Sequence, residues 1–210
     1  MSDPITLTTT AGYGEAAEAL AEQYESVTFT EVHQGALHLF PAEPAAIADI
    51  GAGSGRDAAA LAARGHRVVA VEPTPELRRL GRRIHADRDI EWLDDSLPGL
   101  DRLRAREPRF DLVLLTAVWM HLDAGQRASA MEHLAGLLTG GGRIVLTLRH
   151  GPVPEGRRMF DVSAAETIAL AARHGLTVIH HGEHDDPHGR DGVRWSCLGL
   201  AAGAEGPRAG

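Results

Sequence analysis

Short apolar runs alternate with longer amphipathic stretches from Ala45 onward, and this alternation constrains the fold more than any other feature of the sequence. The runs have the length of β-strands, and the stretches between them have the apolar spacing of helices. Strands alternating with helices predict right-handed βαβ crossovers and an α/β fold around a parallel sheet. The predicted strands are 46–50, 68–71, 90–93, 111–115 and 143–148, and the predicted helices are 56–64, 75–86, 98–106 and 124–138.

The two ends of the chain follow other patterns. Helical spacing predicts one helix over 14–27 and a second over 31–40, which ends before Pro41. After a predicted helix at 164–174, two predicted strands follow, and such a closing pair can run antiparallel at the edge of a parallel sheet. We therefore expect an N-terminal helical lid segment (1–40), one α/β domain (41–200) and a disordered tail (201–210).

Composition and charge limit which binding partners and which cellular compartment are expected. The 210 residues suit one domain, and the net charge of −8 argues against nucleic acid, whose phosphates require a concentrated positive surface. We expect no membrane association, because no apolar run is long enough to span a bilayer. Residues 1–4 lack the layout of a signal peptide, and the single cysteine, Cys197, cannot form an internal disulfide. We expect a cytoplasmic monomer or homodimer.

The absence of lysine excludes further chemistry. All 21 basic residues are arginines, so Schiff-base catalysis and the phosphate-binding lysine of a P-loop are not available. A histidine-rich stretch at 180–188 suggests a metal, but His180 and His181 would point to opposite faces of a strand. The remaining histidines fall in a loop, so we predict no metal site.

A glycine-rich loop lies where the first predicted strand passes into the first predicted helix, with the sequence Asp-Ile-Gly-Ala-Gly-Ser-Gly-Arg-Asp at 49–57. Glycines at alternate positions permit a sharp turn and let a ligand lie against bare backbone. The dinucleotide fingerprint G-x-G-x-x-G would need glycine at position 56, where the chain has Arg56. Asp49 would repel a diphosphate but could hold an amino group. A ligand with an ammonium end and an adenosine end therefore fits better than NAD.

Acidic residues follow the next two predicted strands. Glu72 ends the second strand about 20 residues beyond the loop, where a carboxylate can accept hydrogen bonds from both hydroxyls of a ribose. Asp94 and Asp95 follow the third strand, near the place where an adenine ring would lie. Either aspartate could accept a hydrogen bond from the amino group of the adenine.

These motifs are followed by the strand at 110–113 and by Gly140–Gly142 before the next strand. In their types and their order along the chain, residues 47–149 resemble the class I S-adenosylmethionine-dependent methyltransferases. The resemblance implies a Rossmann-like, doubly wound, three-layer αβα fold with a seven-stranded, mostly parallel sheet and an antiparallel last strand. It implies S-adenosylmethionine as the cofactor of the domain at 41–200. The implied cofactor-binding residues are Asp49, Gly51, Ala52, Gly53, Gly55, Glu72, Pro73, Asp94, Asp95, Ser96, Thr116 and Ala117.

Acceptor-site residues are sought at the carboxyl ends of the strands, where ligands bind in open α/β sheets. His121 could be a general base or could cap a turn, and His33 is a second candidate base. Trp119 could form a wall of the acceptor site or pack beneath the next helix. The lid could contribute Tyr13. Arg149 or His150 could meet an acidic acceptor, because a planar guanidinium suits a carboxylate.

The leading hypothesis is methylation of a small molecule on oxygen, nitrogen, sulfur or carbon by in-line displacement. Methylation of RNA or of a protein is the alternative, although residues 116–119 lack the Asn/Asp-Pro-Pro-Tyr motif of enzymes that methylate amino groups of nucleic acids. A nicotinamide oxidoreductase with a Tyr-x-x-x-Lys signature is impossible without lysine. A non-catalytic nucleotide-binding module remains open. The acceptor itself is not specified by the sequence.

Overall fold

A computed structural model describes residues 16–154 and 156–203. The strands are β1 (Ala46–Ile50), β2 (Arg67–Val71), β3 (Ile90–Leu93), β4 (Phe110–Leu115), β5 (Leu138–His150), β6 (Leu176–Asp185) and β7 (Arg194–Ala202). The α-helices are α1 (Ala17–Glu25), α2 (Phe29–Val32), α3 (Arg56–Ala62), α4 (Pro75–Ile84), α5 (Asp101–Arg104), α6 (Ala124–Gly136) and α7 (Ala164–Ala172). Two 3₁₀ turns cover Leu37–Leu39 and Trp119–His121.

The strands form one seven-stranded sheet in the order β3-β2-β1-β4-β5-β7-β6. The first five strands pair in parallel, and β7 runs antiparallel to both of its neighbours. This topology confirms the predicted Rossmann-like fold. The strand order reverses between β1 and β4, and a crevice that binds ligands is expected at such a switch point.

The central strands are buried on both faces. Ile47 of β1 packs in one cluster with Ala58 and Leu61 of α3. Its neighbour Ala48 packs in the opposite cluster, which includes Leu134 of α6. Helices on both faces produce the three layers, and burial on both sides explains why the strands read as nearly continuous apolar runs.

The segment before the sheet folds differently from its prediction. α1 packs through Ala17 and Ala21 against Leu77 and Leu80 of α4. The helix predicted over 31–40 is instead the short α2 and a 3₁₀ turn. A capping box between Thr28 and Glu31 starts α2 earlier, at Phe29, and the helix ends after one turn.

Other elements also differ in length from the prediction. β6 runs from Leu176 to Asp185, whereas the sequence predicts a strand over 177–181, so His184 lies in a strand and not in a loop. The predicted helix over 98–106 is reduced to the four residues of α5, because Pro98 and Gly99 are poor helix formers. β5 is longer than predicted, since it begins at Leu138 and includes Gly140–Gly142. None of the helices in 16–154 and 156–203 is long and apolar enough to cross a membrane.

Candidate active site

A cavity of about 480 Å³ opens at the carboxyl ends of the central strands. Its walls come from the glycine loop after β1, from α1, from the 3₁₀ turn after β4 and from the loops that follow β5 and β6. The volume lies within the range that is usual for small-molecule sites. The switch point of the sheet therefore carries the cavity expected there.

The glycine loop is held in a turn that requires glycine. Gly51 has a φ of 74° and Gly53 a φ of 59°, in the left-handed region. The N–H groups of Gly51 and Ala52 both donate to the carbonyl of Val71 at the end of β2, at 2.7 and 3.0 Å. A Cβ atom on Gly51 would lie 2.5 Å from Val118 Cγ2. A side chain at position 51 would thus fill the space between the loop and the turn after β4.

Glu72 is buried against this loop, beyond the end of β2. Its Oε2 accepts a hydrogen bond from the Gly53 N–H and its Oε1 one from the Thr74 N–H, both at 2.8 Å. Burial raises the pKa of Glu72, and these backbone donors oppose the rise. Each carboxylate oxygen can accept a second hydrogen bond. Glu72 therefore fixes the loop and retains acceptor capacity for a diol.

Asp49 precedes the glycine loop on β1 and is only 1% exposed. Its Oδ2 has no hydrogen-bond partner among the residues that the structure describes. Burial and the neighbouring charge of Asp57 raise the pKa of Asp49 well above its usual value. A buried acceptor that lines the cavity without a partner fits an ammonium group of a ligand. Because Oδ2 of Asp49 lacks a partner, the residues of this cavity fit the ammonium group of S-adenosylmethionine.

Asp57 connects three elements beneath the cavity. It accepts hydrogen bonds from Arg56 Nε at 2.8 Å and Thr116 Oγ1 at 2.7 Å, and it pairs with His33 Nε2 at 3.0 Å. Burial alone would raise its pKa, but the charges of His33 and Arg56 hold the pKa well below its usual value. These contacts join the end of α2, α3 and the end of β4.

Asp95, rather than Asp94, lines the cavity after β3, beside Ser96 and Leu97. Its carboxylate accepts hydrogen bonds from the N–H groups of Ser96, at 2.9 Å, and Leu103, at 2.8 Å. Asp94 instead turns toward solvent, where it forms ion pairs with arginines. Of the two aspartates, Asp95 is thus in the position expected for adenine recognition.

The 3₁₀ turn after β4 brings His121 to the cavity surface. Its Nδ1 bonds the carbonyl of Arg158 at 2.8 Å, and because a carbonyl only accepts, Nδ1 carries the hydrogen. Nε2 is then the basic nitrogen of the neutral ring. Burial lowers the pKa of His121, and the charge of Arg157 lowers it further against the opposing effect of the carbonyl. His121 is therefore neutral near pH 7 and able to accept a proton.

Residues 47–142 match a family model described as a methyltransferase domain. Residues 47–142, which run from β1 into β5, therefore form a methyltransferase domain, and the cofactor of this domain is S-adenosylmethionine. A search of curated proteins finds no match to the sequence.

Solved structures with the fold of this methyltransferase domain cover nearly the whole chain. A TehB-like S-adenosylmethionine-dependent methyltransferase from Corynebacterium glutamicum is 19% identical, with a TM-score of 0.65 over 90% of this chain and 98% of that one. Magnesium protoporphyrin IX methyltransferase from Synechocystis PCC 6803, solved with its cofactor bound, is 15% identical, with a TM-score of 0.62 over 96% and 85%. Burkholderia thailandensis 1,6-didemethyltoxoflavin-N1-methyltransferase is 21% identical, with a TM-score of 0.62 over 92% and 91%.

Most cofactor-binding residues predicted for the methyltransferase domain lie together on the cavity surface. They are Asp49, Gly51, Ala52, Gly53, Glu72, Pro73, Asp95, Ser96, Thr116 and Ala117. Gly55 lies just outside, where it precedes α3 and where a Cβ atom would approach the ring of Trp92 to 2.6 Å. Ala117 has a φ of 60°, which non-glycine residues rarely adopt, and its N–H donates to Thr147 Oγ1 at 2.8 Å.

The structure places only some of the predicted acceptor-site residues at the cavity. His121 and Arg149 lie on the cavity surface. Trp119 is fully buried in the core beneath the turn, and His33 lies behind Asp57, against Phe29. His150 turns away to Ser196 of β7, with Nε2 and Oγ 2.8 Å apart. Tyr13 lies outside the described residues.

Several cavity residues of the methyltransferase domain were not anticipated. α1 contributes Gln23 and the loop after β6 contributes Arg190. The antiparallel register places Trp195 of β7 opposite Arg149 of β5. Periodicity identifies strands but not which distant strands pair, so this neighbourhood had no sequence signal except the polar loop between β6 and β7. Further cavity residues to which the sequence assigned no role include Leu20, Val32, Thr74, Thr147 and Pro187.

Proposed function

We propose that this methyltransferase domain methylates a small-molecule acceptor, on oxygen, nitrogen, sulfur or carbon, by in-line displacement. The observation that supports the proposal is one cavity lined both by Asp49, whose Oδ2 has no partner among the described residues, and by His121. α1 and the loop after β5 wall this cavity, so a compact small molecule suits it better than a folded macromolecule. The similar Burkholderia thailandensis enzyme is described with bound 1,6-didemethyltoxoflavin, which is consistent with the proposal.

The donor end is assigned from its polar groups. Asp49 accepts a hydrogen bond from the amino group of the methionine part of the donor. Glu72 accepts hydrogen bonds from the ribose hydroxyls, and Asp95 accepts one from the adenine amino group. Their positions follow β1, β2 and β3, so the nucleoside would lie across the ends of three neighbouring strands. S-adenosylmethionine supplies a methyl group already activated on a sulfonium. The residues of this chain therefore need only bind, align and exclude water.

The acceptor end provides alignment and a base. Met120, Met159 and Trp195 present apolar surface that excludes water from the reacting atoms. During transfer the acceptor atom bonds to the methyl carbon, and the methyl–sulfur bond breaks with its electron pair remaining on sulfur. His121 Nε2 takes the proton that an O–H, N–H or S–H acceptor loses. The Arg158 carbonyl holds the ring in the tautomer that this step requires.

Transfer of labelled methyl from S-adenosylmethionine tests the proposal directly. The purified protein is incubated with labelled donor and a cell extract, and the products are separated by dialysis. We expect label in the small-molecule fraction. Label confined to retained RNA or protein would contradict the small-molecule assignment and favour the alternative acceptors.

The role of His121 is tested in the same assay. We expect His121→Asn to slow label transfer by about a hundredfold or more while the affinity for S-adenosylhomocysteine stays unchanged. His133→Asn is a matched control, since His133 also bonds a backbone carbonyl through Nδ1, that of Pro98, away from the cavity. Equal rates of label transfer by the two variants would show that His121 is not the base and has a packing role instead.

A further inference from the structure

Arg149, at the end of β5, is a buried cation with no ion-pair partner among residues 16–154 and 156–203. It is 9% exposed, and its Nε has no hydrogen-bond partner within the described residues. Its Nη1 makes a long contact of 3.5 Å with the carbonyl of Gly151. Burial and the charge of Arg190 lower the pKa of Arg149, and Asp186 only partly opposes this. A buried charge that lacks compensation costs free energy, so its retention indicates a ligand.

The nearby carboxylate is already occupied. Asp186 accepts two hydrogen bonds on Oδ2 from the main chain and Nε of Arg190. Its Oδ1 accepts from Arg190 Nη2 and from the indole N–H of Trp195. Asp186 and Arg190 therefore neutralise each other and leave the charge of Arg149 unbalanced.

The position of Arg149 separates it from the donor end. In the sheet, β5 lies two strands from β1, which carries the glycine loop, and Arg149 pairs in register with Trp195 of β7 on the far side. The cavity that Arg149 lines also has apolar surface from Met159, Pro187 and Trp195. Arg157 and His121 lie on the same cavity surface. Arg149 therefore presents a buried guanidinium to a cavity that also has apolar lining.

We propose that Arg149 binds a carboxylate of the methyl acceptor, so that the acceptor is a small carboxylic acid with an apolar body. This inference rests on the proposed small-molecule methyltransferase function. A carboxylate carries the single charge that balances one guanidinium and matches its planar pair of N–H donors. The apolar walls hold the remainder of the acceptor beside His121.

Binding of simple probes to the protein saturated with S-adenosylhomocysteine tests the inference. Benzoate supplies the carboxylate and a flat apolar body, and benzamide is its neutral counterpart of similar shape. We expect benzoate to bind about tenfold or more tightly than benzamide, as a charge-assisted pair requires. Arg149→Met should reduce benzoate affinity to the level of benzamide. Arg194→Met removes the same charge from an exposed neighbour of Trp195 outside the cavity and should change neither affinity.

Each result separates the inference from the function on which it rests. No binding of S-adenosylhomocysteine to the wild-type protein would overturn the donor assignment and the inference together. Normal donor-product binding with equal affinities for benzoate and benzamide would overturn the inference alone. Tighter binding of phenyl phosphate than of benzoate would overturn the choice of carboxylate.

Two further measurements on Arg149→Met distinguish ligand binding from other roles. The free variant should melt at the wild-type temperature or above, since it loses an uncompensated charge but keeps an apolar stem. A lower melting temperature would make Arg149 structural and overturn the inference. Its affinity for S-adenosylhomocysteine should be unchanged. A large loss would assign Arg149 to the donor and overturn the inference as well.

Discussion

At the scale of single residues, we predict that Asp49 couples cofactor binding to pH. Its burial raises the pKa of the free carboxyl well above the usual value. An ammonium group beside the orphaned Oδ2 favours the ionised form and lowers that pKa. Binding then releases a proton, so affinity rises with pH between the pKa of the complex and that of the free protein and is constant above both.

We therefore expect the affinity for S-adenosylhomocysteine to increase by up to about tenfold per pH unit within that window. Titration calorimetry over a range of pH, in buffers of different ionisation enthalpy, measures both the affinity and the proton released. Asp49→Asn should bind more weakly with a nearly flat pH profile. Asp87→Asn, at an exposed position, should behave as the wild type. If the affinity of Asp49→Asn rose with pH as steeply as that of the wild type, another group would be responsible for the pH dependence.

Asp57 shows what a single position in the sequence conceals. It lies in the first turn of α3, where an acid commonly stabilises a helix through the helix dipole. The structure adds His33 and Thr116, which are 24 and 59 residues away in the chain. Such contacts depend on how α2 and β4 meet, and local spacing contains no information about that meeting.

At the scale of elements, Gly81 allows α4 to lie close to β3. A Cβ atom there would come within 2.2 Å of Trp92 Cη2 and 2.7 Å of the Ser54 carbonyl oxygen. Because the backbone oxygen belongs to the glycine loop, the close approach of α4 also supports the cofactor site. Helix propensity alone would favour alanine by about 1 kcal/mol, so only packing explains the glycine.

We expect Gly81→Ala to lower the free energy of unfolding by about 1–3 kcal/mol, as overpacking does. Gly136→Ala in α6 is the matched control, because nothing lies within 4 Å of its Cβ position. The control should stabilise the protein by about 0.5–1 kcal/mol. Urea denaturation of the two variants measures both changes. Stabilisation by both substitutions would contradict the packing role of Gly81.

At the scale of the whole molecule, the sequence predicted the central sheet better than the cavity. Strands such as β1 and β4 alternate with helices and are buried on both faces, so their apolar runs are unambiguous. The donor end follows these strands and could be located with them. The acceptor end depends on the loop after β5 and on the β6–β7 loop. Trp195 reaches Arg149 only through antiparallel pairing, which no local pattern specifies.

This division of the cavity predicts where the product of the donor will slow hydrogen exchange. Saturation with S-adenosylhomocysteine should stabilise the protein by about 2.7 kcal/mol at 100 times its Kd. We expect exchange to slow in residues 49–55 and in α1, because Tyr24 lies 3.2 Å from the Cβ position of Gly53. The β6–β7 loop, at the acceptor end, should exchange at its original rate. Hydrogen-exchange mass spectrometry measures all three segments together. Slower exchange in the β6–β7 loop with no change at 49–55 would reverse the assignment of the two ends.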